Sequence, residues 1–322
     1  MRSLSLKVIP RTGISIGDAI HKIEVLLESR KQSLADAIKE RNLYFRVSLV
    51  GDCNLSCLFC HNEGAPPGGM LDMEYGCRMM KAAASVGFRR IQFTGGEPLL
   101  HDDVAGFVAR ARAILDDVGI TTNGTALRKF LPSLIDAGLA RLHISLQVPV
   151  LEAAGCVSSW GLPPWLESSL VLATDGGVVT RLNLPVPNDS LEKAASFMKM
   201  LSPFHCEFKV FAILPEGQQS RGEYPVKELA EIVQSENLRR EVERIVPRVV
   251  LRGYTAPSGI RCAGCRDYSR CKEQSHSLRL GADHTLRPCL ATRDWDIRVD
   301  DSQEMEGQIR RAALLALDYR WG

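Results

Sequence analysis

Cys53-Asn54-Leu55-Ser56-Cys57-Leu58-Phe59-Cys60 stands directly after a strand-like run, Tyr44 to Val50. The C-x3-C-x2-C spacing gathers three soft ligands into one loop, and thiolates favour iron–sulfur clusters or zinc over hard cations. Three thiolates can hold a four-iron cluster and leave one iron open to chemistry. A closed zinc site wants four protein ligands, and His61, beside the third cysteine, offers a fourth, so spacing alone leaves zinc open. After a helical stretch comes Ile91-Gln92-Phe93-Thr94-Gly95-Gly96-Glu97-Pro98, a strand running into a tight glycine turn that carries a carboxylate. Such a turn exposes backbone groups at a strand end, where they can grip a small polar ligand.

Downstream of Tyr44 the pattern is strand then helix, repeated, with strands near 44–50, 90–94, 117–121, 141–146, 178–184 and 207–213. That alternation argues a parallel α/β sheet, open or closed. Period-2 parity then divides its faces. Leu142, Ile144 and Leu146 share one face while His143, Ser145 and Gln147 share the other; the same split gives Arg46 and Ser48, Gln92 and Thr94, Arg181 and Asn183, and Glu207 and Lys209. An ordinary (β/α) barrel fills its interior with Val, Ile and Leu. An interior of Arg, His, Asn, Ser and Lys would cost several kcal/mol unless something polar occupied it; the alternative is that some of these side chains reach solvent at strand ends.

The cysteine loop, the Gly95-Gly96-Glu97 turn, Thr121-Thr122-Asn123-Gly124 and Leu142-His143-Ile144-Ser145-Leu146 together resemble the radical S-adenosylmethionine (SAM) superfamily, in the family's motif order. The resemblance implies a partial six-stranded (β/α) TIM barrel, open at one side, with the cysteine loop at the C-terminal strand ends where such barrels place their chemistry. It implies a 4Fe-4S cluster on Cys53, Cys57 and Cys60, with SAM on the open iron. Gly95, Gly96 and Glu97 match the turn that holds the SAM amino group, and Phe59, Thr122, Asn123 and Ser145 fall on cofactor-contacting positions. His61 then reads as a neighbour of the cluster ligands rather than a ligand.

Near the C-terminus, Cys262, Cys265, Cys271 and Cys289 are spaced C-x2-C-x5-C-x17-C, which closes a tetrahedral zinc site or holds a second four-iron cluster. The segment Leu34 to Asn183 is similar to the GTP cyclase family of molybdopterin biosynthesis, and Leu278 to Cys289 resembles that family's auxiliary-cluster hairpin; the likeness covers about two thirds of the chain. Arg46 falls on the family's substrate-binding arginine and Arg181 on a basic position of strand five. The implied division is an N-terminal arm and helix (1–40, helix Asp18 to Leu27), a radical SAM barrel (41–215) and a cysteine-rich auxiliary-cluster extension (216–322). Three departures count against GTP cyclisation. Cys271 adds a fourth auxiliary cysteine. Ser277 stands where the family pairs a second basic residue with Arg279. The chain ends Tyr319-Arg320-Trp321-Gly322 where the family carries Gly-Gly.

The 322 residues, 45% hydrophobic, suffice for one large and one smaller folding unit at about 150 residues each. A formal charge of +2 gives no footprint for nucleic acid, and no apolar run approaches the roughly 20 residues of a membrane helix. Met1 to Pro10 carries Arg2 and Lys7 without an apolar secretory segment, and ten cysteines then point to metal ligation in a reducing cytoplasm more than to disulfides. Isolated Cys77 and Cys156 read as buried structural thiols, and for Cys206 beside His205 a catalytic thiol is the less favoured reading. Trp160, in the loop Val148 to Pro164, either stacks on a substrate ring or covers the barrel mouth.

The expected activity is radical SAM hydrogen abstraction from an anionic small molecule, a nucleoside, nucleotide or sugar acid, because two interior arginines suit a carboxylate or phosphate. A specific version is decarboxylation of a glycosyl uronate such as cytosylglucuronate in nucleoside-antibiotic assembly. Arg46 or Arg181 would hold the carboxylate, and Glu207, Lys209 and His143 would handle protons. A flavodoxin- or ferredoxin-type reductant is the implied electron donor. The competing readings are GTP 3',8-cyclisation, a peptide-modifying radical maturase, and a non-catalytic iron–sulfur or zinc redox sensor.

Overall fold

The computed structural model describes residues 15–57, 60, 66–146, 162–187, 197–198, 200–201, 203–213, 277–289 and 293–317. Helices α1 (Ile16–Ser29) and α2 (Leu34–Glu40) precede the alternating core. That core runs β1 (Tyr44–Val50), α3 (Met73–Val86), β2 (Arg90–Gly95), α4 (Val104–Arg112), β3 (Asp117–Thr122), α5 (Leu127–Asp136), β4 (Arg141–Ser145), α6 (Pro164–Asp175), β5 (Val179–Pro187) and β6 (Cys206–Ile213). A C-terminal group follows: β7 (Ser277–Leu280), β8 (Thr285–Arg287), β9 (Ile297–Arg298) and α7 (Met305–Ala316).

All nine strands join one sheet in the order β6-β5-β4-β3-β2-β1-β7-β8-β9. Each neighbouring pair from β1 to β6 is parallel, with a helix between each successive pair from β1 to β5, as the alternating pattern requires. β6 and β9 are its two edges, so the described sheet is an open α/β sheet, consistent with a partial barrel. The expected strands are all present, with boundaries moved by a few residues at most. β7 pairs parallel with β1, setting Arg46 against Arg279, and β8 and β9 then turn back antiparallel. The C-terminal hairpin therefore continues the barrel sheet beyond its first strand.

The outward faces carry the core. Phe45, Val47 and Leu49 of β1, Ile91 and Phe93 of β2, Val118 and Ile120 of β3, and Leu142 and Ile144 of β4 are all buried against the helical layer. Phe93 meets Phe107 of α4 edge-on, ring centroids 5.9 Å apart. Each such side chain contributes about 1.5–3 kcal/mol through burial. α7 lays its buried run Ala312 to Ala316 beside α3 and α1, so the partner surface of the N-terminal amphipathic helix is the C-terminal helix, with Arg310 reaching Glu24 at 3.7 Å. α2 was not anticipated: its seven residues are too short for a clear period, but Ser33 and Asp36 form a reciprocal capping box that starts it.

α3 returns the chain from the cysteine loop to the far end of the sheet, and its start is fixed by Asp72. The Asp72 carboxylate accepts from the Tyr75 N–H at 2.8 Å, satisfying one of the orphan donors of the first turn. Asp72→Ala should lower global stability by about 1 kcal/mol in urea unfolding, while the exposed mid-helix change Arg78→Ala should stay within about 0.5 kcal/mol.

Candidate functional site

β1, β2 and β3 end side by side, and the three turns that follow interlock. Gly96 N–H donates to Val50 O at 2.7 Å, and Glu97 N–H donates to Asp52 O at 2.9 Å, so the β2 turn is bonded to the backbone leading into Cys53. A Cβ on Gly96 would lie 2.1 Å from Asp52 O, and one on Gly95 (φ +153°) would lie 2.3 Å from Val50 O. The two glycines are dictated by this approach of backbone to backbone. On the other side of the loop, Gly51 N–H donates to Gly69 O at 2.9 Å and Gly68 N–H to the Asp52 carboxylate at 2.9 Å.

Glu97 fastens the second and third turns together from below the surface, at 1% exposure. Its carboxylate accepts from the Thr122 hydroxyl at 2.5 Å, from Leu99 N–H at 3.1 Å and from Asn123 N–H at 2.7 Å. Burial pushes its carboxyl above the usual carboxylate range, and these three donors oppose that shift. Asn123 then links this carboxylate to the cysteine loop. Its amide donates to Asn54 Oδ1 at 2.8 Å and to Cys53 Sγ at 3.8 Å, while its oxygen accepts from Thr125 N–H at 3.0 Å and the Thr125 hydroxyl at 2.7 Å.

Cys53 and Cys60 are exposed and Cys57 is partly buried in this loop. The Cys57 thiol is pushed up to about 11 by burial and by the neighbouring sulfurs of Cys60 and Cys53. Cys53 is pushed up chiefly by burial, against the Leu55 N–H that donates to its sulfur at 3.4 Å. Thiols gathered in this way are a donor set that binds cations by losing protons. The N–H groups aimed at Cys53 suit a thiolate-held cluster. Three thiols in one loop, with N–H donors aimed at Cys53, are a donor set that fits a 4Fe-4S cluster, whose thiolates sit on separate irons.

The inner face of the sheet is polar, as parity indicated. Ser48, Gln92 and Thr94 are buried, and Arg46 donates to the Thr94 hydroxyl at 3.4 Å and to the Tyr44 hydroxyl at 3.5 Å. Thr121, His143, Arg181 and Glu207 stand in register across four strands, followed by Ser145, Asn183 and Lys209. Arg181 bonds Glu207 through Nε at 2.9 Å and a terminal nitrogen at 2.5 Å, and Asn183 donates to Ser145 at 3.5 Å. The sequence reading missed Arg141, although it shares the face of His143 and Ser145. It bonds Asp117 at 2.5 Å and Gln92 at 2.8 Å, with Arg90 also 3.4 Å from Asp117. This network crosses the N-terminal end of the interior.

Arginines of four strands bear on the charge of His143: Arg141 on its own β4, Arg181 on β5, Arg46 on β1 and Arg90 on β2. Burial first, and then these guanidinium groups, hold its imidazole well below the ordinary histidine range, so it is neutral at pH 7. The unfolded chain takes up this proton at higher pH than the folded one. Stability is therefore lost as pH falls below about 6.5, by at most about 1.4 kcal/mol per pH unit for one proton. His143→Gln should flatten the stability profile between pH 7.5 and 5.5 by that amount, measured by urea unfolding at both ends.

Cys289 is buried immediately beyond β8, where Arg287 is held by Asp283 and, at 3.4 Å, by Asp296. Arg279 sits inside, 8% exposed, with Ser277 buried on the same strand. Phe59, His61, Cys156, Trp160, Cys262, Cys265 and Cys271 lie outside the described residues, so of the four C-terminal cysteines only Cys289 is described. Cys77 is partly buried and Cys206 buried. The sequence reading also passed over Asn54 and Thr125, which flank named motif residues; Asn54 donates to the Thr125 hydroxyl at 2.8 Å. Among the described residues, no helix is long and apolar enough to cross a membrane.

Residues 47–150 match the radical SAM superfamily. The GTP 3',8-cyclase of Heliobacterium modesticaldum is 31% identical over 281 residues, 81% of this chain and 84% of that one. The probable GTP 3',8-cyclase of Methanosarcina mazei is 28% identical over 312 residues, covering 91% and 90% of the two chains. Among solved structures, Streptococcus suis SuiB bound to the precursor peptide SuiA is similar in fold, with a TM-score of 0.56 at 17% identity over 91% of this chain and 75% of that one.

Proposed function

From a chain that belongs to the radical SAM superfamily, in the family of the GTP 3',8-cyclases, we propose an enzyme that abstracts hydrogen from the sugar of an anionic nucleoside, nucleotide or sugar acid. The superfamily carries a 4Fe-4S cluster and SAM, which Cys53, Cys57 and Cys60 and the turns at Gly95–Glu97, Thr122–Asn123 and Ser145 would hold. When bound, these cofactors supply a 5′-deoxyadenosyl radical. A non-catalytic sensor, one reading of the cysteines alone, does not survive that membership.

The observation that carries the substrate class is the set of arginines that bear on the charge of neutral His143. An anion entering this interior offsets guanidinium charge that is otherwise costly to keep together. The specific version is decarboxylation of a glycosyl uronate such as cytosylglucuronate in nucleoside-antibiotic assembly. Arg46, beside Arg279 in the sheet, or Arg181, which bonds Glu207, would hold the carboxylate. His143, neutral and within the same cationic field, is suited to accept a proton once an anion raises its basicity. Glu207, in register with Arg181 and His143, and Lys209, in register with Asn183 and Ser145, would be further proton-handling groups. A flavodoxin- or ferredoxin-type donor would reduce the cluster, and the auxiliary cysteines would hold a second cluster or zinc.

GTP 3',8-cyclisation is the second reading, favoured by the names of the relatives. Against it, the hairpin offers Arg279 with Ser277 where that family pairs two basic residues, a weak grip for a triphosphate.

Reconstituted enzyme with SAM and reductant should form 5′-deoxyadenosine and release carbon dioxide with cytosylglucuronate. Arg46→Ala should lower kcat/KM by at least about 10-fold, the loss of one charge-assisted bond of about 1.5–3 kcal/mol. Stimulation by GTP alone would replace the decarboxylase reading with the cyclase one, and stimulation by neither would end both.

A further inference from the structure

The Asn123 side chain is held more completely than a residue needed only to shape a turn. Both amide hydrogens have acceptors, Asn54 Oδ1 at 2.8 Å and Cys53 Sγ at 3.8 Å. Its oxygen has two donors on Thr125, at 3.0 Å and 2.7 Å. A flipped amide would point N–H at N–H, so the network fixes which end faces the sulfur. Asn54 closes the triangle by donating to Thr125 at 2.8 Å, and Asn123 N–H anchors the whole arrangement to buried Glu97 at 2.7 Å.

We propose that Asn123 is a positioning residue that tunes the reduction potential of the SAM-binding cluster by presenting an N–H donor to Cys53. Reduction adds one electron, taken from an external low-potential donor, and part of the added charge falls on the cysteine sulfurs. A donor fixed against one of them stabilises the reduced state more than the oxidised state, because hydrogen bonds to the sulfurs raise the potential of such clusters. The backbone N–H of Leu55 gives Cys53 a second donor at 3.4 Å. Asn54 and Thr125 act one step further out, holding the amide in place. This inference rests on Cys53, Cys57 and Cys60 being cluster ligands.

The test is an EPR-monitored redox titration of the full-length, anaerobically reconstituted protein, following the signal that SAM perturbs, with iron counted per chain. Asn123→Asp keeps an oxygen for Thr125 but removes the donor and adds negative charge. Its potential should move negative by at least a tenfold change in the one-electron equilibrium, about 59 mV. Thr125→Val, which leaves Asn123 chemically intact but loosens it, should shift the same way by less. Parental potentials in both variants overturn the inference, as does loss of iron from Asn123→Asp while Thr125→Val titrates like the parent. A parent protein whose iron content does not fall on replacing Cys53, Cys57 and Cys60 by Ala would instead refute the ligand assignment beneath it.

Discussion

The contact on which the rest depends is a backbone-to-backbone approach: Gly96 N–H on Val50 O and Glu97 N–H on Asp52 O, at 2.7 and 2.9 Å. Parallel strands stop pairing at their ends, and the chain beyond β1 must leave the sheet as a loop carrying three thiols. Without a second hold, that loop would have little fixed geometry, since Cys53 and Cys60 are exposed and Cys57 is only partly buried. The glycine turn supplies the hold by continuing the β1–β2 pairing past the strand end. It does so at a separation no side chain allows. Glu97 transmits the same constraint sideways to β3, using its carboxylate as an internal strut under Thr122 and Asn123.

The second constraint is the polar interior. Burying charged side chains is costly unless partners are built in, and here most are. Arg141 is matched to Asp117 and Gln92, Arg181 to Glu207, and Arg287 to Asp283 and Asp296. Arg141, Asp117 and Gln92 form a closed network at the N-terminal strand ends, with Arg141 and Gln92 in one register row with Arg46.

Much of this was legible because it is periodic. Two-residue alternation identified Arg46, His143 and Arg181 as one face, and the six parallel strands followed from spacing and helical interruptions. Arg141 obeyed the same parity and was overlooked because it is the first residue of its strand, where solvent exposure is the ordinary fate. The glycines were recognised as a turn, but their physical reason, contact with Val50 and Asp52, depends on residues more than forty positions away. Asn54 and Thr125 carry no periodic signal, since a loop's hydrogen bonds are set by tertiary approach. The pairing of β7 with β1 was equally hidden: four residues long, β7 is a strand only because β1 has a free edge.

That free edge connects the two cysteine regions through one sheet, with β1 leading to Cys53 and β8 leading to Cys289. The most direct test of the structural account is iron uptake by Gly96→Ala, whose Cβ would fall 2.1 Å from Asp52 O. The account predicts native-like far-UV circular dichroism with a loss of about four irons per chain, the content of one such cluster. A Gly96→Ala protein with the parent's iron content and the parent's spectral response to SAM would contradict it.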